Sequence, residues 1–198
     1  MAQKNIGTYH IADNNQLYEP ARSNNFEFVV FDVDRLLRAG VTEELAEDRD
    51  YIINAQEIIR ISVNESSVPH FSLGVIEIKR GNNIVKFAGT PTFEAGSIKL
   101  NDYIGARTKD VLLAWQARAY DVNTEKVHMA SNYKKDCQLI EYTPDYDQIV
   151  RIWDLKGCWI SGITEGAFSN EDNSKRVVEA TIQYDKAIPR MPDEVAEV

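Results

Sequence analysis

The feature that most constrains the fold is a strict alternation of side-chain character near the C-terminus. Residues 176–184 read RVVEATIQY, in which apolar Val178 and Ile182 alternate with polar Glu179 and Thr181. Successive side chains of a β-strand point to opposite faces, so this period of two predicts a strand. A chain that ends its folded part in this way needs other strands to pair with.

Several other runs supply such partners. β-branched and aromatic residues bounded by turn-forming residues predict further strands. These are Phe26–Val33, Gln56–Val63, Val75–Arg80, Ile84–Ala88, Gly96–Leu100, Cys137–Tyr142 and Gln148–Ile160, the last with a bulge at Gly157.

The Gly81-Asn82-Asn83 cluster between two of these runs predicts a β-hairpin over Val75–Ala88. On its first strand Ile76 and Ile78 share one face, while Glu77 and Lys79 share the other. The hairpin is therefore expected to have one apolar and one charged face.

One segment has a different period. Between residues 102 and 120 the apolar side chains recur at helical spacing, at Ile104, Val111, Leu112, Trp115 and Ala119. We predict one amphipathic helix here, with Trp115 in the core and Arg107, Lys109 and Arg118 on its solvated face. The fold class is then mainly β, an antiparallel β-sandwich or barrel with one flanking α-helix.

The β domain is predicted to span residues 26–187. It would lie between a polar N-terminal arm, residues 1–25, and a flexible C-terminal tail, residues 188–198. Residues 34–50, DRLLRAGVTEELAEDRD, form a charged insertion between two strands. Long ordered loops of this kind are often functional.

Composition excludes several function classes. The chain has 198 residues, a net charge of −9 and a pI near 4.9, so it lacks the clustered cations that hold nucleic acid. It shows no secretory signal and no apolar run of the roughly 20 residues that a membrane helix needs. Its two cysteines, Cys137 and Cys158, are expected to be reduced thiols of a protein made in a cytoplasm.

No arrangement of residues indicates catalysis, a cofactor or a metal. His10, His70 and His128 lie far apart in the sequence, and the phosphate-binding and nucleophile motifs are absent. The only compact basic motif is Tyr133-Lys134-Lys135. A solvated loop explains it, but in an acidic chain Lys134 and Lys135 are also candidates for pairing with acidic patches on an identical copy.

The order of three C-terminal segments resembles the tail tube proteins of contractile-tailed bacteriophages. These segments are Leu112–Asp121 (LLAWQARAYD), Asn132–Tyr142 (NYKKDCQLIEY) and Ile152–Ala187, which contains Lys156-Gly157-Cys158-Trp159. The resemblance covers roughly residues 26–187 and depends on order and spacing. The chain departs from it at Ile160-Ser161, where a proline is usual, and in the length of the insertion.

The resemblance implies a virion structural protein that forms six-membered rings stacked into a hollow tail tube. Strands of neighbouring subunits would join into a β-barrel around the channel. The implied partners are other copies of the chain, a sheath protein, a tape measure protein and baseplate or tail terminator proteins. DNA would pass through during ejection without specific binding, and assembly would occur in the host cytoplasm.

Two sets of residues are then expected to act in assembly. The hairpin would pack Ile76 and Ile78 on the sandwich and turn Glu77 and Lys79 toward the channel. The insertion and the N-terminal arm would contact the adjacent ring. The candidates in the insertion are Arg38, Glu43, Glu44, Glu47, Asp48 and Arg49. The excess of carboxylates would repel DNA and let it slide.

Two alternatives stay open from sequence alone. A tube ring protein of a type VI secretion or other contractile injection system would share the fold. A small-ligand-binding β-barrel is more remote, because it needs a concave apolar pocket that no cluster of aromatic residues indicates.

Overall fold

The computed structural model describes residues 20–38, 54–168 and 174–190. Within these ranges the chain forms three α-helices and eleven β-strands. In chain order they are β1 (Phe26–Val30), α1 (Val33–Arg38), α2 (Ala55–Ser62), β2 (Val63–Ser66), β3 (Phe71–Arg80), β4 (Asn83–Phe93), β5 (Gly96–Asn101), α3 (Thr108–Ala117), β6 (Tyr120–Asp121), β7 (Lys126–Val127), β8 (Lys135–Tyr142), β9 (Ile149–Glu165), β10 (Val177–Gln183) and β11 (Lys186–Arg190).

The 17-residue strand β9 organises the main sheet. Its first half pairs with β8 and β11, its second half pairs with β10, and the full order is β1-β8-β9-β10-β5-β2, with β11 also against β9. We call the half with β1, β8 and β11 sheet A, and the half with β10, β5 and β2 sheet B. All neighbouring pairs are antiparallel, which confirms the predicted mainly β, antiparallel class.

A bulge at Gly157 marks the passage of β9 between the two sheets. Lys135 lies opposite Cys158 and Cys137 lies opposite Leu155, so β9 has one residue more than β8 over this stretch. Gly157 has φ +69°, and a Cβ atom there would overlap the carboxylate of Asp185. Only glycine meets both demands, so the predicted bulge is confirmed.

The inner faces of the two sheets and the helices share one core. Buried side chains of β8 and β9 in sheet A meet those of β5 and β10 in sheet B, as Leu139 and Ile182 illustrate. Both cysteines are free and fully buried there. The pKa of Cys137 is raised well above its ordinary value. Burial is the main cause, and the hydrogen bond with the neighbouring Cys158 thiol is the second.

The expected strand at Gln56–Val63 is wrong, because residues 55–62 form helix α2. Ala55, Ile59 and Ser62 are buried, and their spacing of four and three residues is that of one helix face. Ile61, which a strand would have placed with Ile59, is 64% exposed. β-branched composition suggested a strand, whereas the spacing of the buried positions is helical.

Several other boundaries differ from the sequence-based expectation, including those of α3, which spans Thr108–Ala117 and not residues 102–120. Helix α1 begins at Val33, so strand β1 ends three residues earlier than expected, and α1 and α2 accompany the single helix that was foreseen. Strand β11 reaches Arg190, so residues 188–190 belong to sheet A and not to a tail. Asn25, which was assigned to the arm, is buried and donates from Nδ2 to the Thr143 carbonyl at 2.9 Å.

Helix α3 packs on the sandwich through Trp115, as the sequence predicts. The Trp115 side chain is fully buried, as are Val111 and Leu112 on the same helix face, and its Nε1 donates to the Tyr133 carbonyl at 2.9 Å. Just after the helix, Arg118 is not solvated as expected: its Nη2 donates to the Leu37 carbonyl at 2.5 Å. Helix α3 thereby fixes both the segment before β8 and the end of α1.

Replacement of Trp115 by Ala should lower the free energy of unfolding by about 3–5 kcal/mol, because it leaves a large cavity and an unpaired carbonyl. Urea unfolding followed by circular dichroism measures this loss. The matched control is Leu113→Ala on the exposed side of the same helix, where a loss under about 1 kcal/mol is expected. Equal losses at both positions would contradict the packing described here.

Candidate assembly surfaces

Among the strands that the structure describes, β3 and β4 pair only with each other and form a two-stranded ribbon, which we call the ribbon (Phe71–Phe93). The ribbon confirms the predicted hairpin and is longer than predicted on both strands. Its register places Ile76 opposite Phe87 and Ile78 opposite Val85. It projects from the end of sheet B where β2 and β5 meet.

The ribbon has one apolar and one charged face. Residues directly opposite each other on antiparallel strands share a face, so Ile76, Ile78, Val85 and Phe87 form the apolar one. Three of these are about half exposed: Ile76 by 53%, Ile78 by 45% and Phe87 by 44%. The expectation that Ile76 and Ile78 pack on the sandwich of their own chain is therefore wrong, because only the base of the ribbon reaches the core.

The charged face carries Glu77, Lys79 and Lys86, with the exposed apolar side chains of Val75 and Ile84 beside them. Lys86 Nζ lies 3.3 Å from Glu77 Oε1, so these two charges compensate each other across the strands. This exposed pair adds little stability by itself. Because Glu77 and Lys86 compensate each other, Lys79 gives this face a net charge of +1.

Aromatic side chains hold the base of the ribbon. The Phe93 ring lies 5.6 Å from the Phe71 ring and 6.3 Å from the ring of Tyr184, the residue just after β10, and it packs against the core. Further out, the register shifts between Leu73 and Val75. A Cβ atom on Gly89 would come within 3.0 Å of the Gly74 backbone, so the two strands approach each other closely there.

An isolated two-stranded ribbon is marginal in water. Within residues 20–38, 54–168 and 174–190, the outer edge of each of its strands has no β partner and its apolar face is exposed. Unpaired edges and apolar patches of this kind mark surfaces where another chain adds. The ribbon is thus the main candidate assembly surface of the described chain.

The other predicted site residues fall in different places. Glu77 and Lys79 lie together on the ribbon, and Arg38 is the exposed last residue of α1. The remaining candidates of the insertion, Glu43, Glu44, Glu47, Asp48 and Arg49, lie outside the described residues. His10 does too, whereas His70 and His128 lie in separate loops.

Lys134 is held within its own chain. Its Nζ donates to both carboxylate oxygens of Asp185 at 2.7 Å. The adjacent Lys135 is half-buried at the start of β8 and helps to lower the pKa of Asp136. Of the two basic candidates for contact with another copy, Lys134 therefore already has an intramolecular partner.

An ion pair and a backbone hydrogen bond, both made by Asp136, stabilise the bulge of β9. Asp136 Oδ2 accepts from Lys156 Nζ at 2.7 Å, and Oδ1 accepts from the Gly157 amide at 3.3 Å. The bond from Lys156 is the main cause that lowers the pKa of Asp136, and the same bond raises the pKa of Lys156. The Lys156-Gly157 motif noted in the sequence is thus structural here.

A second charged cluster joins α3 to the far ends of β9 and β10. Glu165 accepts from Lys109, with Nζ 2.7 Å from Oε1, and from the guanidinium of Arg176. That guanidinium also lies 4.0 Å above the Phe168 ring. Lys109, expected on a solvated face, is instead an anchor, and its hydrogen bond is the largest cause that lowers the pKa of Glu165.

Other kinds of site find little support in the part of the chain that the structure describes. Over residues 20–38, 54–168 and 174–190, no group of three or more His, Cys, Asp or Glu side chains could hold a metal ion. Over the same ranges, no helix has the length and apolar character of a membrane span.

The described residues form a bent antiparallel sandwich with flanking helices and a ribbon that has no β partner among them. Residues 48–187, well over half of the chain, match the family model described as T4-like virus tail tube protein gp19. The chain belongs to this family, which confirms the resemblance seen in the sequence.

Solved structures show the same fold at low sequence identity. A chain of the PVC sheath-tube complex of an extracellular contractile injection system, in the extended state, aligns over 96% of this chain and 99% of its own, with a TM-score of 0.61 and 16% identity. A chain from the anti-feeding prophage cap, a tube terminating cap, aligns over 92% and 99%, with a TM-score of 0.62 and 13% identity. No curated protein matches the sequence.

The ion pairs of Glu165 with Lys109 and Arg176 should make the free energy of unfolding depend on pH. Because its folded-state pKa is lowered, Glu165 contributes stability above the pKa of the unfolded chain, and this is lost as pH falls through the folded value. Glu165→Gln should therefore reduce the urea midpoint at pH 7 and have a much smaller effect near pH 3. Glu125→Gln, on the exposed β6–β7 turn, is the matched control; an equal loss at both pH values would contradict this assignment.

Proposed function

We propose that the chain is a purely structural subunit of a bacteriophage tail tube, in which six-membered rings stack into a hollow channel that conducts DNA during ejection. Membership of the tail tube family supports this role. The observation that carries it is the ribbon, whose apolar face and two edges have no partner among the described residues.

Ring formation would cover the apolar face. Ile76, Ile78 and Phe87 each leave about half of their surface in water. Burial of the remainder on a neighbouring subunit is worth on the order of 1 kcal/mol for each side chain. Because the same contact recurs at each subunit of a closed ring, these modest terms add up to a stable assembly.

Ring closure would also remove the exposed edges. A ribbon on one side of the subunit and its receptor on another side make a head-to-tail interface, and such interfaces close into rings when the rotation permits. A closed barrel has no free strand edge, which prevents uncontrolled pairing with other chains.

In this assembly Glu77 and Lys79 would face the channel, with Lys86 beside them. The apolar face lies on the opposite side of the ribbon and would meet the neighbouring subunit. A sheath protein around the tube, a tape measure protein within it and baseplate and terminator proteins at its ends are the partners of this role. Assembly would take place in the host cytoplasm and yield part of a virion.

Ile78→Asp should abolish tube formation, because it places a charge at the centre of the apolar face. Negative-stain electron microscopy of concentrated wild-type protein should show hollow tubes or six-membered rings, and the variant should show neither. The variant should unfold within about 0.5 kcal/mol of wild type, because Ile78 is exposed in the single chain.

The matched control is Val127→Asp on β7, which replaces an equally apolar side chain that is 78% exposed. This variant should still form tubes. If Ile78→Asp assembles as well as Val127→Asp, the ribbon is not the ring contact, and a wild-type protein that stays monomeric at all concentrations would refute the tube itself.

The charged insertion is proposed to contact the adjacent ring through Arg38, Glu43, Glu44, Glu47, Asp48 and Arg49. Deletion of Val41–Asp50 should then leave a folded subunit that forms single rings and no stacked tubes. Electron microscopy and analytical ultracentrifugation distinguish these states. Tubes of normal length from the deletion variant would assign ring stacking to another surface.

A further inference from the structure

We propose that the outer part of the ribbon pivots as one body on a joint at Gly74 and Gly89, and that entry into a ring fixes its direction. The inference rests on the proposed tube function. It goes beyond that function, because it concerns how the ribbon moves and not which surface it contacts. We call residues 75–88 the outer ribbon, and residues 71–73 and 91–93 its base.

The base of the ribbon belongs to the sandwich. The Phe93 ring contacts the rings of Phe71 and Tyr184, and Tyr184 is part of the buried core. Next to the base, the Glu94 amide donates to the His70 carbonyl at 3.3 Å. These contacts hold the base in a fixed direction relative to sheet B.

The outer ribbon is exposed on both faces. Every residue of β3 is exposed, and between residues 83 and 88 of β4 only Val85 is half-buried. The largest side chains, Ile76, Ile78 and Phe87, keep about half of their surface in water. A segment with few buried contacts is held mainly by its link to the rest of the chain. For the outer ribbon, that link is the joint.

The ladder between the two strands is interrupted at the joint. Leu73 lies opposite Pro91 and Val75 lies opposite Ala88, so β4 has one residue more than β3 over this stretch. An extra residue of this kind disrupts the ladder locally. Pro91 weakens it further, because proline has no amide hydrogen to donate to the other strand. The base and the outer ribbon are thus joined by two backbone segments with few bonds between them.

Two glycines meet at this interruption. A Cβ atom on Gly89 would lie 3.0 Å from the carbonyl carbon and oxygen of Gly74, so a side chain there would press on the opposite strand. At Gly74 there is room, because a Cβ atom would meet its nearest neighbour, the Thr90 carbonyl oxygen, at an ordinary 3.4 Å. Neither glycine has a φ angle in the left-handed region.

Space and φ therefore account for glycine at residue 89 but not at residue 74. Glycine has the widest range of backbone angles, and hinges are a few residues that absorb large changes in those angles. Gly74 and Gly89 give both strands of the ribbon this freedom at the same level. A pivot explains why both strands have glycine at the joint.

A pivot suits a ribbon that joins a neighbouring subunit. The apolar face of the outer ribbon has to meet its receptor while the base stays fixed to its own sandwich. Movement at the joint lets the two surfaces fit without distortion of either sandwich. The freedom is lost on binding, which opposes association, and burial of the apolar face offsets this loss.

Distances between two spin labels, measured by double electron–electron resonance, test the pivot. One label is placed on Lys126→Cys in β7, and the other on Asn82→Cys at the tip of the ribbon or on Ser72→Cys at its base. Both native cysteines are buried and stay unlabelled. In single subunits that carry Ile78→Asp, the distances of the tip pair should be spread at least about twice as widely as those of the base pair.

In tubes, labelled subunits without Ile78→Asp are diluted with wild type, and the tip pair should narrow to the width of the base pair. Gly74→Ala should narrow the tip pair in single subunits as well, because alanine restricts the backbone. The matched control is Gly105→Ala, where a Cβ atom meets nothing within 4 Å and the width should not change. The response to Gly74→Ala separates a pivot from fraying of the outer strands, which residue 74 would not affect.

A tip pair as narrow as the base pair in single subunits would overturn the inference. A Gly74→Ala variant as wide as Gly105→Ala, or a tip pair that stays wide in tubes, would overturn it too. In each of these cases tubes still form, so the proposed function stands. Wild-type protein without tubes would instead refute the proposed function.

Discussion

The structure depends on one strand that serves two sheets. Strand β9 can leave sheet A and enter sheet B only because its ladder slips by one residue at Gly157, where the backbone is left-handed and Asp185 closes over it. The carboxylate of Asp136 and the ammonium of Lys156 meet across β8 and β9 at this point and hold the slipped register. If this bulge were lost, every side chain of β9 beyond it would exchange core for surface.

The position of the ribbon follows from this arrangement. The second half of β9 fixes β10, β10 fixes β5, and β5 fixes β2, so the pair β2–β5 stands at the edge of sheet B. The chain extends past that edge into β3 and β4, which the contacts of Phe93 with Phe71 and Tyr184 and the hydrogen bond from the Glu94 amide to the His70 carbonyl support at the base. A rigid sandwich thus presents a ribbon that lacks its own stabilising partners, which favours association with another copy over an isolated state.

Local sequence patterns predicted the structure correctly where the conformation of a residue depends on its neighbours in the chain. The turn at Gly81, the helix stripe that buries Trp115 and the bulge at Gly157 could all be predicted because backbone conformation or period determines them. Helix α2 was not predicted, because its isoleucine-rich composition favours a strand. The residues that it buries in the core, Ala55, Ile59 and Ser62, are spaced as one face of a helix. The anchoring of Lys109 and Lys134 by Glu165 and Asp185 joins residues distant in sequence, so no local pattern could reveal it.

Charge is divided unevenly between the ribbon and the rest of the chain. The ribbon has Lys79, Arg80 and Lys86 against the single carboxylate of Glu77, so the remaining residues are two charges more negative than the total of −9. Subunits that all carry net negative charge repel one another, but a basic ribbon directed at an acidic neighbour is attracted at short range, within a Debye length of about 8 Å. Attraction of this sign orients the ribbon before its apolar face is buried, and it favours head-to-tail contacts over contacts between two like surfaces. In the proposed ring, the positive charge of the ribbon and its exposed apolar face would therefore favour the same interface.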